Sequence, residues 1–375
     1  MKKLLLLTLS LLALAGCTPA QTTSVGDDDA PLRRDIGQML LVGFRGMQID
    51  DSNHIVRDIR DYNIGGVILF EYDAPTGRHQ RNIASPQQLK LLCQRLQTLR
   101  KETLLIGIDQ EGGRVTRLKE KQGFPHFASP QAQAADGDDS VRHYARLTAT
   151  TLARLGINLN FAPCVDVNTN PDCPIIGRLE RSFSSNPKRV AQCATIWVSE
   201  LQQQGVTACL KHFPGHGSSQ KDSHLGLADV SKSWNPIELQ PYIRLLNSKN
   251  DVRMIMTTHV FNAQLDSLYP ATLSYPTLTT LLRDSLHFQG VIITDDLAMG
   301  AMVKQYPSEE ILRRAILAGA DMLCLSNNGQ EYNPDIVPQT VELIYNMVKR
   351  GEIPADRIRQ SALRIRRLKA ETKRN

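Results

Sequence analysis

Eight short runs rich in Val, Ile and Leu recur along the chain, at 38–44, 66–70, 104–109, 157–163, 206–211, 254–259, 291–295 and 322–326. Their apolar character is continuous rather than alternating, which suits parallel strands covered on both faces. Between them lie amphipathic segments with helix start signals: Ser85-Pro86 with Gln88, Asn186-Pro187, and Asn235-Pro236 with Glu238. Strand and helix alternating in this way predict an α/β fold, a single (β/α)8 TIM-type barrel. A doubly wound sheet is the alternative, but no GxGxxG follows the first run.

Polar residues sit where these runs end. Asp109 closes the third, Asp166 follows the fourth, Lys211 and His212 close the fifth, His259 the sixth and Asp295 the seventh. Barrel enzymes build their sites from the carboxyl ends of strands, so these side chains are expected at one mouth. The richest stretch is 206–224, VTACLKHFPGHGSSQKDSH, in which Pro214, Gly215 and Gly217 preclude regular structure. His212 and His216 are four apart, a zinc-pair spacing on a helix, but no helix passes Pro214-Gly215. A solvated loop with incidental histidines is the plainer reading. The third is acid–base chemistry, with Asp222 close enough in sequence to orient His224. No metal or other cofactor is expected.

The amino end suggests an address. Met1-Lys2-Lys3 and the apolar run 4–14 have signal-peptide form, too short for a permanent span. Leu14-Ala15-Gly16-Cys17 resembles a bacterial lipobox, which implies a signal peptide over 1–16, lipid on Cys17 and a tether over 17–31. Thr18, rather than Asp, after that Cys resembles outer-membrane sorting, so a membrane-anchored protein facing the periplasm is expected. Loss of Lys2 and Lys3 lowers the formal charge from +6 to +4, too mild to suggest a nucleic-acid surface. The Arg-rich run 357–367 reads as a closing helix with Ile358, Ala362, Ile365 and Lys369 on its packed face and a solvated basic side. Of the seven cysteines, Cys93, Cys164, Cys209 and Cys324 lie in apolar runs as buried residues would. Cys173, in a loop, is the best disulfide candidate, its partner unreadable.

KHFPGHG followed by DSH resembles the signature of family 3 glycoside hydrolases, specifically the single-barrel β-N-acetylhexosaminidases. The likeness extends from Leu32 to Arg367, so 32–375 reads as the catalytic domain. It includes Met256-Thr257-Thr258-His259, Ala271-Thr272-Leu273-Ser274 and the loop Asp109-Gln110-Glu111-Gly112-Gly113-Arg114-Val115-Thr116-Arg117. The resemblance implies Asp295 as nucleophile, His224 as acid–base with Asp222 orienting it, and Asp109, Arg117, Arg181, Lys211 and His212 as sugar ligands. Arg178 and Arg181 compete for one of those places, because two residues are inserted after Gly177; the Arg-Ser-Phe context favours Arg181. Glu111 and Arg114 read as a structural pair within their loop. Of the adjacent acids Asp295 and Asp296, only one can face the mouth.

The implied activity is retaining release of terminal, non-reducing β-linked N-acetylglucosamine through a glycosyl–aspartate, with peptidoglycan fragments the first substrate and a monomer as the acting form. Alternatives are a chitooligosaccharide-directed hexosaminidase, a family 3 β-glucosidase, a glycoside phosphorylase, and a non-catalytic lipoprotein that binds wall fragments. The segment 72–81 departs from the short loop of the family's compact enzymes and is expected to shape the leaving-group side.

Overall fold

The computed structural model describes residues 29–223, 225–248 and 250–372. All eight apolar runs form strands: β1 (Leu40–Gly43), β2 (Gly66–Ile68), and, beyond a small antiparallel hairpin of β3 (Tyr72–Asp73) and β4 (Arg78–His79), β5 (Leu105–Ile108), β6 (Leu159–Asn160), β7 (Thr207–Phe213), β8 (Met254–Thr257), β9 (Val291–Ile293) and β10 (Leu323–Leu325). The eight-stranded sheet runs β10-β1-β2-β5-β6-β7-β8-β9, every pair parallel. A bridge between Ile293 and Met322 joins β9 to β10 and closes the ring. Every residue of these eight strands is buried, as double coverage by barrel and helices requires.

The helix start signals act as their chemistry dictates. Ser85 accepts a hydrogen bond from Gln88 N at 3.3 Å while the Gln88 side chain accepts from Ala84 N at 2.8 Å, opening the helix Pro86–Thr98. Asn186 caps Pro187–Gln203 through Lys188 N. Asn235 opens a short 3-10 turn, Pro236–Leu239, that runs into the helix Gln240–Leu246. The fourth strand is shorter than its apolar run because Pro163 has no N–H to donate, although Cys209 N still bonds Ala162 O at 3.1 Å. The fifth is longer and carries His212 and Phe213 within it.

Two expectations are corrected. Cys173 is a free thiol, buried with Cys164, Ile175 and Ile176; its Sγ points at His216 O at 3.5 Å, while Cys164 Sγ donates to Asp166. The closing helix, Ala355–Thr372, does bury Ile358, Ala362, Ile365 and Lys369, but its basic side is not wholly solvated. Arg357 and Arg364 turn inward to Asp321 at 3.3 and 3.2 Å. Cys17 and the segments 1–16 and 17–28 lie outside the described residues. Among the described residues, no helix is long and apolar enough to cross a membrane.

Asp321 is fully buried just before β10 and collects Arg283, Arg357, Arg364, Ser361 and the Ile292 N–H. Removing its carboxylate strands three guanidinium groups around a void. Asp321→Ala should lower the unfolding free energy by about 3–5 kcal/mol in denaturant titration. KM should stay unchanged, because this cluster lies at the amino ends of the strands.

Candidate active site

The opposite, carboxyl end of the barrel carries the chemistry. Asp109 follows β5 directly, and Lys211 and His212 lie in β7. Neighbours on a regular strand point to opposite faces. Here the β7–β8 register shifts between Leu210 and Phe213, and both Lys211 and His212 join one buried cluster. Lys211 Nζ stands 2.7 Å from Asp109 Oδ1 and 2.7 Å from Glu111 Oε1. Arg181, in the loop after β6, makes a bidentate pair with Glu111 at 2.9 and 2.7 Å. Arg117 Nη2 donates to Asp109 Oδ2 at 3.3 Å.

Burial pushes the Asp109 carboxyl up, but Lys211 and Arg117 outweigh it and hold it well below the usual carboxylate range. Glu111 follows the same logic: desolvation raises it, and Arg181 and Lys211 bring it down to about 2. Burial likewise opposes the Lys211 charge, while Asp109 and Glu111 keep its ammonium protonated above the ordinary lysine value. The cluster is thus fully ionised at neutral pH.

The network continues inward. Arg181 Nη2 lies 3.2 Å from His212 Nε2, and the guanidinium only donates. His212 therefore accepts at Nε2 and carries its proton on Nδ1, which donates to Asp166 Oδ2 at 2.6 Å. Asp166 also accepts from His216 N at 2.8 Å and from the Cys164 thiol at 3.2 Å. It is wholly buried and serves as the anchor of His212, not as a mouth residue. Cys164, Asp166 and His212 are the one trio among the described residues whose ligand atoms fall within 4.8 Å of each other. Each of those atoms already has a hydrogen-bond partner in the trio or in Arg181.

Across the barrel, Asp295 follows β9, half-buried, with Oδ1 accepting from Asp296 N at 2.8 Å. The Asp296 side chain turns the other way and accepts from Ser326 N at 2.9 Å and from the Ser326 hydroxyl; burial pushes its carboxyl up. His259, just past the end of β8, is buried, as Lys211 and His212 are. Its Nε2 donates to the Asp296 carbonyl at 2.9 Å, steadying the turn that presents Asp295. Burial drives the Cys209 thiol far up, and Lys211, Asp109 and Asp295 all act on it as well. Burial raises the Cys324 thiol too, with Asp296, Asp295 and Asp109 adding to it. Asp109 and Asp295 thus stand at the carboxyl ends of two strands that are four apart in the ring.

The loop after β7 reaches this mouth. Gly215 has φ +126°, and a Cβ there would meet Glu238 Cβ at 2.6 Å, so glycine is required. His216 Nε2 lies 3.1 Å from Ser223 Oγ, and Ala301 N, six residues beyond Asp295, donates to Ser223 O at 3.3 Å. Asp222 is half-buried beside them; His224 lies outside the described residues. Of the sequence-derived sugar ligands, Asp109, Arg117, Arg181, Lys211 and His212 form one connected group. Arg178 is exposed and pairs with Asp172, whereas Arg181 is the arginine of the two that joins the cluster. The Glu111–Arg114 pair is corrected: Arg114 faces solvent and Glu111 holds Arg181 and Lys211. The signal was available, because Glu111 is two residues from Asp109 and shares its side of an extended chain.

Residues 31–368 match the family described as Glycosyl hydrolase family 3 N terminal domain. The chain is 34% identical over 309 residues to the Beta-hexosaminidase of Alkalilimnicola ehrlichii, covering 80% of this chain and 82% of that one. It is 36% identical over 286 residues to Beta-hexosaminidase A of Pseudoalteromonas piscicida, covering 70% and 46%. A glycoside hydrolase family 3 beta-N-acetylglucosaminidase from Paenibacillus sp. superposes with a TM-score of 0.81 at 34% identity, over 91% of this chain. The chain spans only 62% of the length of that structure. M tuberculosis LpqI superposes with a TM-score of 0.76 at 27% identity, over 90% of this chain and 93% of that one.

Glu238 supports the loop by accepting from Gly217 N at 2.8 Å, and its other oxygen is buried without a partner. Burial raises its carboxyl from 4.5 to about 7. The folded state thus binds this proton more tightly than the unfolded one. The associated stabilisation is full below pH about 4.5 and lost as pH rises through about 7. Glu238→Gln should therefore remove about 3 kcal/mol of pH dependence across that window, read as the wild-type minus variant difference in unfolding free energy.

Proposed function

The chain is a glycosidase belonging to glycosyl hydrolase family 3, and on that footing we propose that it releases terminal, non-reducing β-linked N-acetylglucosamine with retention of configuration. The observation that carries this reading is the ion-paired group Asp109, Lys211, Glu111 and Arg181 at the carboxyl ends of the strands, with Asp295 delivered at the same end by the strand four places round the ring. A carboxylate accepts from vicinal hydroxyls while Lys and Arg donate to the remaining oxygens, the chemistry a sugar ring demands. The names of the relatives point the same way.

In the proposed reaction, Asp295 attacks the anomeric carbon and the bond to the leaving oxygen breaks. His224 gives that oxygen its proton. His224 then takes a proton from water, whose oxygen attacks the same carbon and releases Asp295. Asp222 orients the imidazole and stabilises its charged form. Support for the dyad is its place in the chain: Ser223, between its members, is held by His216 and Ala301 beside the nucleophile. Asp109, Arg117, Arg181, Lys211 and His212 fix the ring.

The peptidoglycan assignment rests on the amino end. Residues 1–16 read as a signal peptide, Cys17 as the lipidated first residue, 17–31 as a tether, and 32–375 as the catalytic domain of a monomer anchored in the outer membrane and facing the periplasm. Fragments of wall carrying a terminal N-acetylglucosamine would meet the enzyme there. Chitooligosaccharides are the second substrate class.

An aryl-glycoside panel, run with and without phosphate, tests the reading. The β-N-acetylglucosaminide should be cleaved, its glucoside counterpart far more slowly, and phosphate should change neither rate nor product. Asp295→Ala should lower kcat on the order of 10,000-fold. Native-rate release by that variant would contradict the mechanism, and phosphate-dependent formation of a sugar 1-phosphate would make the protein a phosphorylase.

A further inference from the structure

The hairpin of β3 and β4 is set between Phe70, just past β2, and Arg81. Its base closes on Glu71, whose carbonyl accepts from Gln80 N at 2.7 Å and Arg81 N at 3.3 Å. Asp73 fixes it further, accepting from Arg45 at 2.6 and 2.9 Å and from Arg81 at 3.2 Å. Glu71 therefore stands on a held framework, with 8% of its surface exposed.

Its carboxylate points at a sugar ligand. Glu71 Oε2 lies 3.7 Å from Arg117 Nε, and Oε1 lies 3.9 Å from Lys119 Nζ. Both separations exceed hydrogen-bonding distance. Glu71 Oε2 and Arg117 Nε are each buried with no hydrogen-bond partner. A buried acceptor and a buried donor that face each other unsatisfied call for a third group. A hydroxyl is the group that completes both, because it donates to the carboxylate and accepts from the guanidinium. Arg117 is meanwhile bonded to Asp109, so Asp109, Arg117 and Glu71 form one strip along the rim.

Ring order says which part of a sugar meets that strip. β5, which delivers Asp109, is four strands from β9, which delivers Asp295, whichever way the ring is counted. β2, which delivers Glu71, adjoins β5. A pyranose with its anomeric carbon at Asp295 turns its opposite edge, with the C4 hydroxyl and the C6 arm, toward Asp109 and Glu71. We propose that Glu71 is a specificity-determining residue that, together with Arg117 Nε, grips a hydroxyl on the edge of the terminal sugar remote from the anomeric carbon. This assignment rests on the reading of the site as one for a terminal N-acetylhexosamine. It places the hairpin on the sugar side of the site and not beside the leaving group.

The test pairs Glu71→Gln with the aryl β-N-acetylglucosaminide and its 4-deoxy and 6-deoxy analogues. On the parent substrate, kcat/KM should fall on the order of 10- to 100-fold, the worth of a hydrogen bond to a charged group. One deoxy analogue, already poor with the wild type, should lose less than about 3-fold more, because the contact it lacks is the one removed. Glu71→Asp, which keeps the charge on a shorter arm, should show the same pattern more weakly and serves if the Gln variant melts early. Equal losses on all three substrates would mean that Glu71 acts only through Arg117, and no loss on any would remove it from the site; either overturns the assignment. Failure of the wild type to cleave the parent glycoside is a separate result, seen before any variant is made, and would sink the substrate reading and this assignment with it.

Discussion

The ammonium of Lys211, held between Asp109 and Glu111 at 2.7 Å each, is the contact on which the rest of the mouth depends. A buried charge is tolerable only when paired and hydrogen-bonded. Glu111 supplies that pairing twice, to Lys211 from β7 and to Arg181 from the loop after β6. Three separate segments are thereby locked together before any sugar arrives. The energetic consequence is pre-organisation: the groups that would meet a sugar's hydroxyls need little reordering on binding.

Asp295, the proposed nucleophile, is held by a different device. Asp296 is anchored through Ser326 and through the hydrogen bond from His259 to its carbonyl, so the turn beneath Asp295 is fixed from β10 and β8. Asp295 itself stays half-buried at the mouth. Ion pairs thus set the side proposed to bind the sugar, and backbone anchoring sets the side of Asp295. The loop through Gly215 and Ser223 is packed on Glu238 and tied internally by the His216–Ser223 contact. Its glycines are needed for space as much as for conformation: a Cβ on Gly217 would fall 1.8 Å from Val167 O.

The barrel was legible because burial on both faces writes itself into a run of Val, Ile and Leu, and because strand ends then predict where polar residues gather. Asp109, Lys211, His212 and Asp295 were found that way, and Arg117 and Arg181 through resemblance. What the sequence hid was partner choice. Glu111 looked like a mate for Arg114 because they are neighbours in the chain, whereas the fold brings Arg181 from 70 residues away. His259 ends a strand as expected, but its partner there is the Asp296 carbonyl, a choice that no pattern of residue types encodes. Cys173 sits in a loop, but that loop is folded under its neighbours, which keeps the thiol buried and free.

The central claim is that Glu111 acts through its partners, holding in place the two cations proposed to bind the sugar, Lys211 and Arg181. Calorimetric titration of Glu111→Gln with N-acetylglucosamine, on protein shown to be folded by its melting profile, tests it most directly. The account predicts an affinity lower on the order of 100-fold, with Lys211 and Arg181 no longer fixed by a shared anion. Wild-type affinity in a folded Glu111→Gln protein would contradict it.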